Sequence, residues 1–90
     1  MALRMTLDQA ATIALKGLAY LVNSGDPLDR FLELSGAGRD MLRERANEPE
    51  FLASLLDFLL SNEALLADFS GASGIDVRAV HIARHVLAGE

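Results

Sequence analysis

The chain has no cysteine and no tryptophan, only two prolines and one tyrosine, and eight basic residues against thirteen acidic ones. Without cysteine there is no disulfide, no thiol nucleophile, and no cysteine-ligated zinc or iron–sulfur site. The net charge of −5 opposes a phosphate backbone, whose binding relies on Lys and Arg displacing counterions. No apolar run approaches the roughly 20 residues of a membrane span. The longest candidate, Phe51 to Leu60, is interrupted by Ser54 and Asp57. Met1 to Met5 holds one arginine and no long apolar stretch, which does not fit a secretory signal. These absences lead to the expectation of a soluble cytoplasmic protein without a membrane segment.

What is present is hydrophobic. Apolar residues make up 51% of the 90 residues and mean hydropathy is +0.25. Fourteen of the apolar residues are alanines, which leaves 32 larger ones. That is many for a single domain of this size, which buries about two-thirds of its unfolded surface. Large apolar side chains are therefore expected at the surface, where such patches mark interfaces.

The chain also repeats itself. Leu18, Leu21, Leu28, Phe31, Ser35 and Gly36 recur 38 positions later as Leu56, Leu59, Leu66, Phe69, Ser73 and Gly74, with no insertion. Ile13 and Phe51, Tyr20 and Phe58, Val22 and Leu60, and Leu42 and Val80 are similar pairs at the same offset. Such a repeat implies a unit that buries its apolar face against its own copy. Residues 12–46 and 50–84 would form the two halves within one domain, 1–90.

Helical signals dominate and no segment alternates as a strand would. Thr6 and Gln9 fit a capping box, with Asp8 in the first turn. Leu7, Ala11, Ala14, Leu18 and Leu21 then form an apolar stripe at helical spacing. Ala10, Ala14 and Gly17 make a small-residue strip that allows close helix approach, within the monomer or across a dimer. Asn23, Ser24 and Gly25 end this helix, and Asp26 with Pro27 starts a second as cap and first residue. Leu28, Phe31, Leu32 and Leu34 follow, to Ser35 and Gly36. A charged third helix surrounds Met41, Leu42 and Ala46. Asn47 or Glu48 opens a fourth, with Pro49 at or near its first position, and it is apolar nearly all round except along Glu50, Ser54, Asp57 and Ser61, as a central helix would be. Asn62 and Asp76 cap a fifth and a sixth. Val77, Val80, Ala83 or Ile82, and Leu87 face inward on the sixth, and Gly89 and Glu90 form a frayed end. The expected fold is an all-α, compact bundle of five or six helices, two pseudo-symmetric three-helix halves, with Phe31 and Phe69 in equivalent core positions.

Candidate chemistry is sparse. His81 and His85 share a helix face, but two histidines without a third ligand or an HExxH pattern do not make a zinc site. Arg78, His81, Arg84 and His85 line a helix that follows a glycine-containing turn, the layout of a recognition helix. Asp57, set among leucines, could act as a general base, yet no convergent partner can be placed with it. It is expected in an ion pair with Arg30 or Arg43. Gly36-Ala37-Gly38 follows a helix, not a strand, and is no dinucleotide fingerprint. No catalytic, cofactor-binding or metal residue is assigned, and the chain reads as a non-enzyme.

Taken in order, Leu28, Arg30, Phe31, Leu32, Ser35, Gly36, Pro49, Phe51, Leu52, Leu55, Leu56, Asp57, Phe58, Leu59, Glu63, Leu65, Leu66, Phe69 and Gly74 resemble a family of short helical bacterial proteins catalogued as a domain of unknown function, DUF3572. The resemblance runs from about Ala10 to Leu87. It implies a small helical cytoplasmic protein of bacteria and supplies no activity, ligand or catalytic residue. The leading expectation is a protein–protein interaction module or homodimer, with the third and sixth helices as candidates for the surface. The alternative is a nucleic-acid-associated regulator using Arg78, His81, Arg84 and His85.

Overall fold

The computed structural model describes residues 5–89, and the expected frayed end at Glu90 lies outside them. Six α-helices run α1 Leu7–Val22, α2 Asp26–Ser35, α3 Leu42–Arg45, α4 Pro49–Leu60, α5 Glu63–Ser73 and α6 Val77–Leu87, with no strand among the described residues. A 3-10 turn, Arg39–Met41, leads into α3.

Local chemistry sets most of the helix ends. The Thr6 hydroxyl accepts from the Gln9 amide at 3.1 Å, and Gln9 Oε1 accepts from the Thr6 amide at 2.9 Å. This reciprocal pair satisfies two of the donors that a helix start leaves free. Asn62 caps α5 through the Leu65 amide, and Asp76 caps α6 through the Arg78 amide. One start differs from expectation. The cap of α2 is Gly25, at φ +75°, and Asp26 is already the first helical residue with Pro27 next to it. A backbone reversal at glycine opens the helix, and Asp26 favours it through the helix dipole instead of through a cap bond.

The Ser-Gly turns that end α2 and α5 share one geometry. Gly36 and Gly74 both take the left-handed conformation, φ 73° and 75° with ψ 9° in each. In each turn the serine hydroxyl donates back to a helix carbonyl, Ser35 to Leu32 and Ser73 to Phe69. Each also accepts from the amide two residues on, Ala37 or Ile75. Residues 38 positions apart are buried alike: Leu21 and Leu59, Leu28 and Leu66, and Phe31 and Phe69.

The elements that follow the two Ser-Gly turns differ. Residues 39–45 form two short turns with no buried residue, whereas α6 is a regular 11-residue helix. Like charges at i,i+4, Asp40 with Glu44 and Arg39 with Arg43, weaken the first of these. Pro49 disfavours helical backbone at Glu48, the residue before it, which is extended. Arg39 reaches back to Asp29 of α2 at 2.7 Å, and Arg45 lies over the Phe51 ring, 5.3 Å from its centroid.

The core is a three-helix contact among α1, α4 and α6, closed by α2 and α5. α4 supplies Phe51, Leu52, Ala53, Leu55, Leu56 and Leu59, and its polar strip of Glu50, Ser54, Asp57 and Ser61 stays exposed. α6 contributes Val80, Ala83 and Leu87, while Ile82 is only half-buried. The rings of Phe51 and Phe58 flank Phe31 at 5.4 and 5.5 Å, and Tyr20 tilts against Phe69 at 5.6 Å.

α1 is turned from the expected stripe. Its buried residues are Ala10, Ala14, Gly17 and Leu21, whereas Leu7 is exposed and Ala11 and Leu18 are half-buried. The small-residue strip faces inward because it lets α1 approach α4 closely. A methyl group on Gly17 would stand 3.0 Å from Leu55 and 3.1 Å from Leu59.

Candidate interaction surface

Turning the small residues inward leaves the larger ones of α1 outside. Leu7 is 51% exposed, Leu15 44% and Val22 50%, with half-buried Ala11 and Leu18 between them. The spacing of these five, four, four, three and four residues, places them along one side of the helix. The side runs beside the buried stripe and covers the whole of a 16-residue helix about 24 Å long. None of the five is charged. The polar residues of α1, Asp8, Gln9, Thr12 and Lys16, lie round the helix from them. Two further large apolar side chains are exposed elsewhere, Leu34 on α2 and Met41 in the 3-10 turn. The sixth helix carries no exposed large apolar residue, so among the described helices the continuous apolar ridge is on α1, not on α3 or α6.

The basic side of α6 is built differently. A link of three residues, 74–76, joins α5 to α6, and Arg78, His81 and His85 stand exposed along the helix. Arg84 is engaged by α4. Its Nε donates to Asp57 Oδ1 at 2.7 Å and its second nitrogen to Asp57 Oδ2 at 3.4 Å, a two-pronged pair that ties α6 to α4. The expected partners of Asp57, Arg30 and Arg43, do not meet it. Asp57 is held by a cation 27 residues away in sequence, which local spacing does not reveal. The acidic cap Asp76 stands beside Arg78. No group of three or more histidines and acidic residues is placed to hold a metal among the described residues.

A third feature has no sequence signal. The Tyr20 hydroxyl donates to Asp68 Oδ2 at 2.5 Å, bridging α1 to α5 across 48 residues. That bond, together with burial and the nearby carboxylate charge, raises the tyrosine pKa above its ordinary value. A phenol so held is a donor, not a nucleophile. Lys16, Asn23 and Ser24 share the shallow groove around it. A larger groove of about 610 Å³ opens between the first turns of α1 and α6, walled by Met5, Ile13, Ala79 and Ile82 with Arg78 at its side.

No helix among the described residues is long and apolar enough to cross a membrane. No curated protein and no solved structure shows a significant match to the chain. A family model does match, over residues 7–90. That span takes in every helix of the bundle, and the chain belongs to the family described as a protein of unknown function (DUF3572).

Proposed function

We propose that this is a bacterial cytoplasmic protein-interaction module without enzymatic activity, docking through the outer side of α1. One observation carries the reading: the uncharged ridge Leu7, Ala11, Leu15, Leu18 and Val22, left half in water by a helix that turns its small residues inward. Completing the burial of each of Leu7, Leu15 and Val22 is worth about 1 kcal/mol, against about 1.5–3 for burying such a side chain fully. Association costs about 4 kcal/mol or more in lost freedom of motion, so the ridge binds usefully only a surface that is apolar in turn. The absence of cysteine accords with a reducing compartment.

The test places a photocrosslinking amino acid at Leu15, and separately at Lys16 on the opposite side of the helix, in cells that carry the protein. A protein adduct at Leu15 and none at Lys16 is expected. Equal labelling at both positions, or none at Leu15, removes the reading.

A second reading has its own observation. The three-residue link between α5 and α6, with Arg78, His81 and His85 exposed, has the form of a nucleic-acid-binding helix pair. Affinity for duplex DNA that falls steeply between about 50 and 200 mM salt would favour it. The net charge of −5 and the engagement of Arg84 by Asp57 weigh against it.

A further inference from the structure

We infer that the partner of the α1 ridge is a second copy of this chain, bound antiparallel, α1 against α1, across a two-fold axis. The inference rests on the interaction reading above and adds the occupant and its register. A two-fold interface uses one patch twice, so the patch must match itself when the helix direction is reversed. The ridge does. Pairing each position with the one that sums with it to 29 sets Leu7 against the second copy's Val22 and Ala11 against its Leu18. The two Leu15 side chains then flank the axis. At the ends two branched side chains meet, and between them a small residue faces a large one, so the helices can close without a void or a clash.

Charge points the same way. α1 carries one acid, Asp8, and one base, Lys16, and is neutral in a chain of net charge −5. Two copies that approach through α1 bring together the part of the molecule that does not repel itself. A partner of opposite charge would be drawn instead to the acidic residues of α2, Asp26, Asp29 and Glu33. The size of the contact sets its strength. Five side chains per copy fall well short of the roughly 20–30 residues a side of a stable interface. The dimer is therefore weak and forms with rising concentration.

The cysteine-free chain allows a direct test with single-cysteine variants and a short bismaleimide crosslinker. Disulfides suit it less, because packed helix axes lie about 8–10 Å apart. Leu15→Cys is expected to crosslink with itself, and the yield should fall on dilution. Leu7→Cys and Val22→Cys should stay monomeric alone, since like positions lie about 22 Å apart along the pair at 1.5 Å per residue. Mixed together, these two should crosslink. Lys16→Cys, on the far side, should not. All four sites are exposed, and unchanged melting of each variant confirms its fold.

Self-crosslinking of Leu7→Cys as strong as that of Leu15→Cys would mean a parallel pair and overturn the inference. So would a Leu15→Cys yield no higher than that of Lys16→Cys. The photocrosslinking result separates the two levels. An adduct at Leu15 with the mass of a different protein overturns the second copy and leaves the interaction reading standing. The lack of any adduct removes both.

Discussion

Gly17 of α1 and Leu55 of α4 meet where a side chain on the glycine would be tightly crowded: a methyl there would stand 3.0 Å from Leu55 Cδ2. Leu55 is fully buried, as is Leu59 on the other flank of the same glycine. This contact decides which side of α1 enters the core and, by the same rotation, which side remains in water. The apolar ridge is thus a consequence of core packing and not a separate feature of the surface.

Gly17→Ala should therefore destabilise the protein although alanine favours helix. The propensity gain is about 0.5–1 kcal/mol, and overpacking a filled core costs about 1–3 kcal/mol. Gly71→Ala is the matched control, because that position in α5 has open space where the methyl would go. It should gain about 0.5–1 kcal/mol. Thermal melts of the two variants should move in opposite directions, and a rise for both would refute the close approach of α1 to α4.

Phe31 and Phe69, 38 positions apart in the repeated pattern, are 2% and 1% exposed. Truncating a buried phenylalanine costs about 3–5 kcal/mol, a large share of the total of about 5–15 kcal/mol for a domain. Phe31→Ala should be the costlier of the two, since it strips contacts from both the Phe51 and Phe58 rings. Each variant should be largely unfolded at physiological temperature by circular dichroism. A melt within a few degrees of the parent would disprove the core assignment.

The parts of this architecture that were legible in the sequence are those governed by neighbours a few residues apart. Thr6 with Gln9, the caps Asn62 and Asp76, and the repeated Ser-Gly turns at Gly36 and Gly74 each answer to a local hydrogen-bond need. The polar strip of α4 was legible for the same reason, since periodicity along one helix suffices. The facing of α1 was not. Its apolar residues span more than half the helix, so periodicity alone cannot choose between the stripe through Leu7, Ala11 and Leu18 and the one through Ala10, Ala14 and Gly17. Only the shape of α4 chooses. Asp57 with Arg84 and Tyr20 with Asp68 were likewise out of reach, being joined across 27 and 48 residues by the packing of helices. The ridge was foreshadowed only as an excess of apolar residues, without a location.

Asp57→Asn should cost less than about 1 kcal/mol. The pair with Arg84 is two-pronged, yet its side chains are 31% and 52% exposed, and ion pairs open to water contribute about 0.2–1 kcal/mol. The same variant tests the basic side of α6. It removes the carboxylate charge beside Arg84 and lowers the negative charge by one, so any nucleic-acid affinity seated on Arg78, His81, Arg84 and His85 should strengthen. The expected result is no duplex DNA binding at about 50 mM salt for the parent or the variant. Binding that tightens in Asp57→Asn and weakens with salt would restore the nucleic-acid reading.

Tyr20 provides a pH test with one optical signal, because the chain has one tyrosine and no tryptophan. Its hydroxyl donates to Asp68, and that bond is the main cause of a pKa above the ordinary value of 10.0. A raised folded-state pKa means that the folded chain holds this proton more tightly than the unfolded one. The stabilisation is thus fully present below pH 10 and is lost as pH rises through the folded value. Tyr20→Phe should cost at most about 1 kcal/mol at neutral pH, where the exposed Asp68 regains water in place of the phenol. The useful quantity is the difference between parent and Tyr20→Phe, which isolates the contribution of the phenol. That difference should shrink as pH rises above 10, while the near-ultraviolet phenolate band of the folded parent appears later than that of the free amino acid. Asp68→Asn should move the band back toward its ordinary position. A phenolate band that rises at the ordinary pH in the folded parent would show that the bridge between α1 and α5 does not form in solution.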